Sequence, residues 1–519
     1  MSTVEGRGTR RAGGRRARVA MRQDTRARQH PSPPGQIGGR YRPLKASDVA
    51  VIHKTALRIL DEIGMAEVPN VVIEQALARG ARLSDEGRLC FPPALVEDVI
   101  AGAARRVVLH GREPAQDFEV GGEAVHYGTG GAAVRTQDPE TGHYRPSTLR
   151  DVYDFARLVD CLENVAWFTR CCVATDLAEP ADLDLNTAYA LAAGTRKHIG
   201  TSFTLGAHVA EAVAMFDLVL GGEGEFRKRP FCKVHISPVV SPLRYGADAV
   251  EVALACIEHG LPINAIIAAQ SGATAPAPLA GMLAQTTAEA LAGLLLVNLF
   301  APGYPMIFSN WPLVIDLRTG GFSGGGGEIA VLNAASAQIA NFYDLPGGVA
   351  ACMSDAKALD AQAGLEKAAT ALAAGLAGAN MIYESAGMMA SLMGASFEAF
   401  VIDNEMLGLA QRVIRGIEVS EETLGFETIR DVVRGEGHFL GHAQTIAAME
   451  RDYLYPGLSD RHPIDTWEES GATDIWARAR ETARNILATH FPDTIDAPTD
   501  ARIRERFRIL LPETAMRAG

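Results

Sequence analysis

None of the seven cysteines (Cys90, Cys161, Cys171, Cys172, Cys232, Cys256 and Cys352) lies at CxxC spacing from another, and their number is odd. Neither a zinc knuckle nor a disulfide framework is therefore expected, and a reducing cytoplasm is the simplest compartment. No uninterrupted apolar run reaches about 18 residues, so no membrane helix is expected. No short apolar core follows the N-terminal charges, which argues against a secretory signal. Positive charge is scarce: 49 Lys and Arg face 62 Asp and Glu over 519 residues, a net charge of −13. Residues 1–40 hold ten Arg and no Lys against Glu5 and Asp24, a surplus of +8 that leaves −21 for the rest. An acidic body repels phosphate, so nucleic acid is not an expected partner. The Arg-, Gly- and Pro-rich leader 1–40 reads as disordered, or as sequence upstream of a true start at Met21. Apolar residues at 47 % and charged residues at 21 % otherwise describe a folded, globular chain.

What the sequence does have is a rhythm. From about residue 120, short apolar runs end in small or polar residues, and an Ala/Leu-rich stretch follows each. The runs are 124–130, 165–173, 198–204, 231–237, 263–269, 306–310, 349–353 and 381–384. The expected helices between and after them are 149–161, 182–195, 207–220, 243–259, 279–300, 327–342, 358–376 and 398–414. Continuous apolar runs suit parallel strands buried on both faces, and eight strand–helix units suit an α/β fold of the (β/α)₈ TIM-barrel type, over 121–415. Residues 41–120 read as a helical N-terminal cap and 416–519 as a helical C-terminal extension.

In such a fold reactive groups sit where strands give way to helices. The strand ends supply Tyr127 and Thr129, Arg170 and Cys172, Ser202 and Thr204, His235 and Ser237, Gln270 and Ser271, then Ser309, Asn310 and Trp311, Met353, Ser354 and Asp355, and Tyr383, Glu384 and Ser385. No HxH and no carboxylate cluster is present, so no protein-bound metal is expected. Lys233 is the only strand lysine of the kind a Schiff-base aldolase needs, and it sits near the start of its strand. Aromatic rings with a few acids suit a small cationic ligand, because ring faces attract quaternary ammonium. The run GFSGGGGE (321–328) reads as an anion cradle or a flexible lid. GTGG (128–131) lacks the spacing of a dinucleotide fingerprint.

Several stretches carry a family resemblance. LPGGVAACMSDAKALDAQAGLEK (345–367), SPLRYGADAVEVALACIEHGLPIN (241–264), GGEIAVLNAASAQIANFYDLP (326–346), GANMIYESAG (378–387), VIDNE (401–405) and IEVSEETL (417–424) follow the order and spacing of the trimethylamine methyltransferase family. The chain resembles that family over roughly residues 40–510. The resemblance implies a (β/α)₈ protein that moves a methyl group from an amine to the cobalt of a corrinoid (a cobalamin) on a separate small protein. It also implies a homo-oligomer.

One departure stands out. Family members acting on trimethylamine carry pyrrolysine in a VAGT-X-SDAK context, and here VAACMSDAK places Met353 at that position. A thioether cannot activate a tertiary amine, so the resemblance points to the non-pyrrolysine branch, whose substrates are quaternary amines such as glycine betaine. A quaternary ammonium already carries its charge and leaves as a neutral amine, so holding it in line is most of the catalysis. On this reading the catalytic residues are Met353, facing the methyl group, with Asp355 or Glu384 as charge partner. Tyr127, Trp311 and Tyr383 would hold the ammonium. Ser309, Asn310, Ser354 and the backbone N–H groups of 323–327 would bind a substrate carboxylate. A betaine-binding protein without turnover, or a methyltransferase that uses free cobalamin or tetrahydrofolate as acceptor, fits the same residues.

Overall fold

The computed structural model describes residues 32–517. Most of the expected leader, residues 1–31, lies outside the described residues. The chain divides into two units, 32–416 with 456–517 and the segment 417–455.

The larger unit is an α/β fold around a curled nine-stranded sheet. Eight of its strands are parallel: β1 (Ala124–Tyr127), β2 (Trp167–Thr169), β3 (His198–Thr201), β4 (Cys232–Ile236), β5 (Ile263–Ile267), β6 (Met306–Asn310), β7 (Gly347–Ala350) and β8 (Met381–Tyr383). Each falls inside, or within two residues of, an apolar run expected to be a strand. The order across the sheet is β1-β8-β7-β6-β5-β4-β3-β2, and Gln36–Ile37 adds antiparallel to β1. Residues 36–37, assigned to the leader from composition, are thus part of the sheet.

Each parallel strand is followed by a helix: α1 (Leu149–Asp160), α2 (Pro180–Gly194), α3 (Gly206–Leu220), α4 (Ala247–His259), α5 (Leu279–Phe300), α6 (Gly327–Phe342), α7 (Ala361–Leu376) and α8 (Phe397–Arg415). Local chemistry sets their ends. Thr148 caps α1 and Asp151 returns the bond to the Thr148 N–H at 2.8 Å, a reciprocal capping box. Asp360 caps α7, so that helix starts three residues later than its apolar periodicity suggests. α4 starts later still because Val239–Val240 and Arg244–Tyr245 form a small hairpin first. α5 is the one described helix long and apolar enough to cross a membrane; 83 % of its apolar window is buried inside the fold. It is the core helix of this unit.

The segment ahead of the sheet mixes helices (46–58, 70–77, 93–102) with two short strand pairs, 82–83 with 89–90 and 107–109 with 118–120. The second pair places Val107, Leu109, Val120 and Phe118 against Trp167 and Met381, covering the amino-terminal end of the sheet's concave face. Helices 475–489 and 497–506 pack back on the same unit. There the buried Arg157 guanidinium donates to the Leu487 and His490 carbonyls at 2.6–2.9 Å. The segment 417–455 carries helices 421–424, 426–434 and 443–451, tied by Arg451 to Glu422 at 3.0 Å.

Candidate active site

Side chains alternate along a strand, so each strand sends one set inward to the concave face and the other out to the helices. The outward set is apolar and joins the main core, with Phe168, Ile199, Val234 and Phe308 among it. The inward set is different. Trp167 and Thr169, His198, Lys233 and His235, Asn264 and Ile266, Ile307 and Ser309, and Met381 and Tyr383 line the concave face. Six of these are polar, where a packed sheet interior ordinarily carries branched apolar residues.

The aromatic residues cluster around Tyr383, at the carboxyl end of β8. Tyr383 lies 5.1 Å from Trp311, 5.0 Å from His235 and 5.0 Å from Trp167, measured between ring centroids. Trp311 is 7 % exposed and its indole N–H has no partner. Met353, fully buried, belongs to the same apolar cluster as Trp311 and Tyr383. Gly324 of the glycine-rich run closes over it: a Cβ there would stand 2.8 Å from the Met353 Cβ. Any larger residue at 324 would lift the loop off the thioether.

Met353 is held in place from behind by one helix. The Thr370 hydroxyl accepts from the Cys352 N–H at 2.9 Å, and Lys367 Nζ donates to the Cys352 carbonyl at 3.2 Å. Glu366 accepts from the Ser354 hydroxyl at 2.7 Å and from the Asp355 N–H at 2.8 Å. All three side chains lie on α7. Lys367 pairs with Asp403 at 2.8 Å, both fully enclosed. Cys352 and Glu384, directly beyond the last two strands, both have positive φ (68° and 63°), a strained conformation that the surrounding bonds must enforce.

Charge at the site is unbalanced. Lys233 Nζ donates to the Thr169 hydroxyl at 3.1 Å and faces the Trp167 and Tyr383 rings at 5.2 and 5.5 Å. No acid lies within ion-pair distance of it among the described residues. It reaches Thr169 across β3 because residue 200 is glycine. The register aligns Thr169, Gly200 and Lys233 across three strands, and a Cβ at 200 would stand 2.4 Å from Thr169 Oγ1 and 3.0 Å from Lys233 Nζ. Burial pushes the Lys233 ammonium down to about 7. Arg170 at the end of β2 has a buried Nη1 without a partner, and burial lowers its pKa too. Glu384, 2 % exposed, has a buried Oε2 without a partner. Burial pushes its carboxyl up to about 8, against the pull of Arg170 and Lys367. Burial likewise drives His198 and His235 well below the usual imidazole range.

The residues singled out from sequence thus divide. Trp311, Tyr383 and Met353 come together in one apolar cluster, and Ser309 also faces the concave side. Glu384 stands just beyond β8 against Gly130, where a Cβ would lie 3.0 Å from its Oε1. Ser309 donates to Asn264. Tyr127 is turned the other way: its hydroxyl donates to the Ala371 carbonyl on α7 at 2.9 Å, and it is not brought to the others. Asn310 is on the outward side too, facing Thr287 of α5. Ser354 is engaged by Glu366, as described. Asp355 accepts from Ser323 Oγ (2.9 Å), the N–H groups of Gly324 (2.7 Å) and Gly325 (3.4 Å), and Ser391 Oγ (2.9 Å). The carboxylate therefore fastens the glycine-rich run, and two of the backbone donors assigned to a ligand belong to it. Thr169, Trp167 and Asn264 were missed. The polar residues spaced two apart with Trp or His (WFT, KVH) were the available signal.

The candidate site of this α/β protein combines buried aromatic rings with polar and charged atoms left without partners. The chain belongs to the trimethylamine methyltransferase family, whose model matches residues 11–508. That bears out the resemblance seen in its motifs. A trimethylamine methyltransferase, MttB, of Desulfitobacterium hafniense (strain DSM 10664 / DCB-2) is 31 % identical over 90 % of this chain and 92 % of its own. The glycine betaine methyltransferase of Desulfitobacterium hafniense (strain Y51) is 29 % identical over 91 % of this chain and 97 % of its own. Among solved structures, the Methanosarcina barkeri monomethylamine methyltransferase (MtmB) overlays with a TM-score of 0.46 at 14 % identity, covering 85 % of this chain and 93 % of that one.

Proposed function

We propose that this chain is a methyltransferase that takes a methyl group from a quaternary amine of the glycine betaine type and passes it to a corrinoid carried by a cognate partner protein. The single observation that carries this reading is Met353, buried among Trp311 and Tyr383 beneath Gly324. A thioether offers neither a proton nor an electrophile, so the donor must bring its own leaving-group charge. The relative that acts on glycine betaine supports the same choice.

On this proposal the sheet is a (β/α)₈ barrel that closes between β1 and β2. Backbone bonds from Ala166 N–H to the Tyr127 carbonyl (2.7 Å) and from Thr129 N–H to the Trp167 carbonyl (3.4 Å) support that closure. The corrinoid, when bound, supplies the nucleophile that receives the methyl group. The run of four glycines, 324–327, carries no side chains and would leave its backbone open to a partner's cofactor. The rest is the work of this chain. Trp311 and Tyr383 hold the ammonium by their ring faces. Glu384 adds a negative charge once it ionises. Met353 lines the methyl side without a hydrogen bond, and the loop fastened by Asp355 keeps water out. The donor nitrogen departs with its bonding pair as a neutral tertiary amine, so no proton has to be supplied. The proposal includes a cytoplasmic location, which the absence of CxxC pairs and the odd cysteine count support, and a homo-oligomer, which the family resemblance supports.

The test is direct. Purified protein, glycine betaine and chemically reduced cobalamin are incubated together, and dimethylglycine is followed by proton NMR, with and without a corrinoid protein. Release of dimethylglycine is the expected result. Demethylation of trimethylamine as fast as glycine betaine would overturn the proposal.

A further inference from the structure

The large unit buries three lysines on or beside its strands and helices, and they differ in one respect. Lys197 gives its ammonium to the Leu162 and Val165 carbonyls. Lys367 has Asp403 and the Cys352 carbonyl. Lys233, 0 % exposed, has one neutral hydroxyl and two ring faces. A structural lysine is satisfied by the fold, as the first two are; a buried ammonium with one hydrogen bond is left short of acceptors.

The surroundings sharpen the point. Arg170, with its own buried unpaired Nη1, acts on His235 together with Lys233, so a guanidinium and an amine that burial holds near neutrality border one concave face. Adding a bare quaternary cation to that face costs Coulomb energy. A donor that brings a carboxylate cancels this cost and supplies the missing acceptor.

We propose that Lys233 is the receptor for an anionic end of the substrate. The donor is then a zwitterion, its carboxylate at the base of the concave face and its ammonium outward against Trp311 and Tyr383. This rests on the quaternary-amine reading above and fixes what that reading leaves open: which residue receives the carboxylate, and which way round the donor lies. The carboxylate donors assigned from sequence are otherwise engaged, Ser354 with Glu366 and the Gly324 N–H with Asp355. Gly200 is part of the device, since only a residue without Cβ lets Lys233 lie across β3.

The test uses two probes that share a permanently charged nitrogen, glycine betaine and tetramethylammonium, titrated calorimetrically into the full-length protein and into Lys233→Met. In the wild type, glycine betaine binds more tightly than tetramethylammonium. In Lys233→Met, the glycine betaine Kd rises by at least about 100-fold while that of tetramethylammonium changes by less than about threefold. Equal losses for both probes overturn the proposal.

A second measurement needs only the wild type, and holds even if the variant fails to fold. At pH 8, titration in buffers of different ionisation enthalpy reads proton uptake. His198, His235 and Tyr383 also lie near Lys233, with Cys232 beside it on the strand; any response of theirs or of Glu384 to the ammonium is common to both probes, and the difference reads the effect of the carboxylate on Lys233 and its neighbours. Glycine betaine is expected to take up about one proton more than tetramethylammonium, because a bound carboxylate recharges Lys233. No difference overturns the proposal. Binding and turnover separate the two readings. A protein that binds betaine through Lys233 yet releases no dimethylglycine refutes the methyltransferase reading alone. One that demethylates both probes with equal KM refutes the zwitterion alone.

Discussion

The two faces of the central sheet are made from the same eight strands and obey opposite rules. On the convex face, polar atoms are rare and most are closed off: the Tyr127 hydroxyl finds the Ala371 carbonyl, and Asn333 Oδ1 accepts from the Ala350 N–H at 3.1 Å, with Asn310 Oδ1 and Ser336 Oγ the exceptions. On the concave face and its rim, Lys233, Arg170, Glu384 and Trp311 are buried with polar atoms short of partners. A fold that only had to be stable would not leave them so, because each costs desolvation that nothing returns. The concave face gives up stability and keeps binding capacity; the convex face does the reverse.

Substitutions on the two sides should therefore be read out differently. The largest effect is expected behind Met353. Lys367→Met leaves Asp403 buried without its cation and should lower unfolding free energy by about 3–5 kcal/mol, measured by urea denaturation. A loss under about 1 kcal/mol would show that the pair does not brace the site. Next come two ring residues. Trp311→Leu should raise the Kd for tetramethylammonium about tenfold. Tyr127→Phe should leave that Kd unchanged and cost about 1 kcal/mol of stability, the worth of one buried hydrogen bond. If Tyr127→Phe weakens binding instead, the division between the faces fails.

A pH dependence tests the rim of the concave face. Burial raises the Glu384 pKa to about 8 in the folded protein, above its value of 4.5 when exposed. The folded state therefore holds a proton that the unfolded chain releases, and stability falls as pH rises from the lower value to the higher. Glu384→Gln should remove that fall, giving a variant more stable than wild type at pH 8 by thermal melting and equal to it near pH 4. Tetramethylammonium, attracted by the ionised carboxylate, should bind the wild type more tightly as pH rises through about 8, and Glu384→Gln should lose that trend.

The strands and most helices were legible because burial on both faces writes itself as apolar runs, and a 3.6-residue period writes the helices between them. The order of the curled sheet follows from the same alternation. What stayed hidden was direction. Tyr127 and Tyr383 both end strands in the sequence, yet one enters the helix layer and the other the concave face, because the strand sets which parity points inward and one sequence alone does not print that parity. Asn310 and Ser309 are adjacent and diverge for the same reason. Asp355 was legible as an acid near the mouth, but its four partners come from residues 323–325 and 391, far away along the chain. Lys233 was dismissed for sitting near a strand's start. Its isolation from any acid is a property of the neighbouring strands, and no single stretch of sequence carries it.

The clamp on residues 352–355 touches main-chain atoms of Cys352 and Asp355 and the hydroxyl of Ser354, and leaves the side chain of Met353 out altogether. Position 353 is therefore an interchangeable tip on a fixed mount. A different side chain there keeps the clamp, and has only to be accommodated by Trp311, Tyr383 and the loop at Gly324.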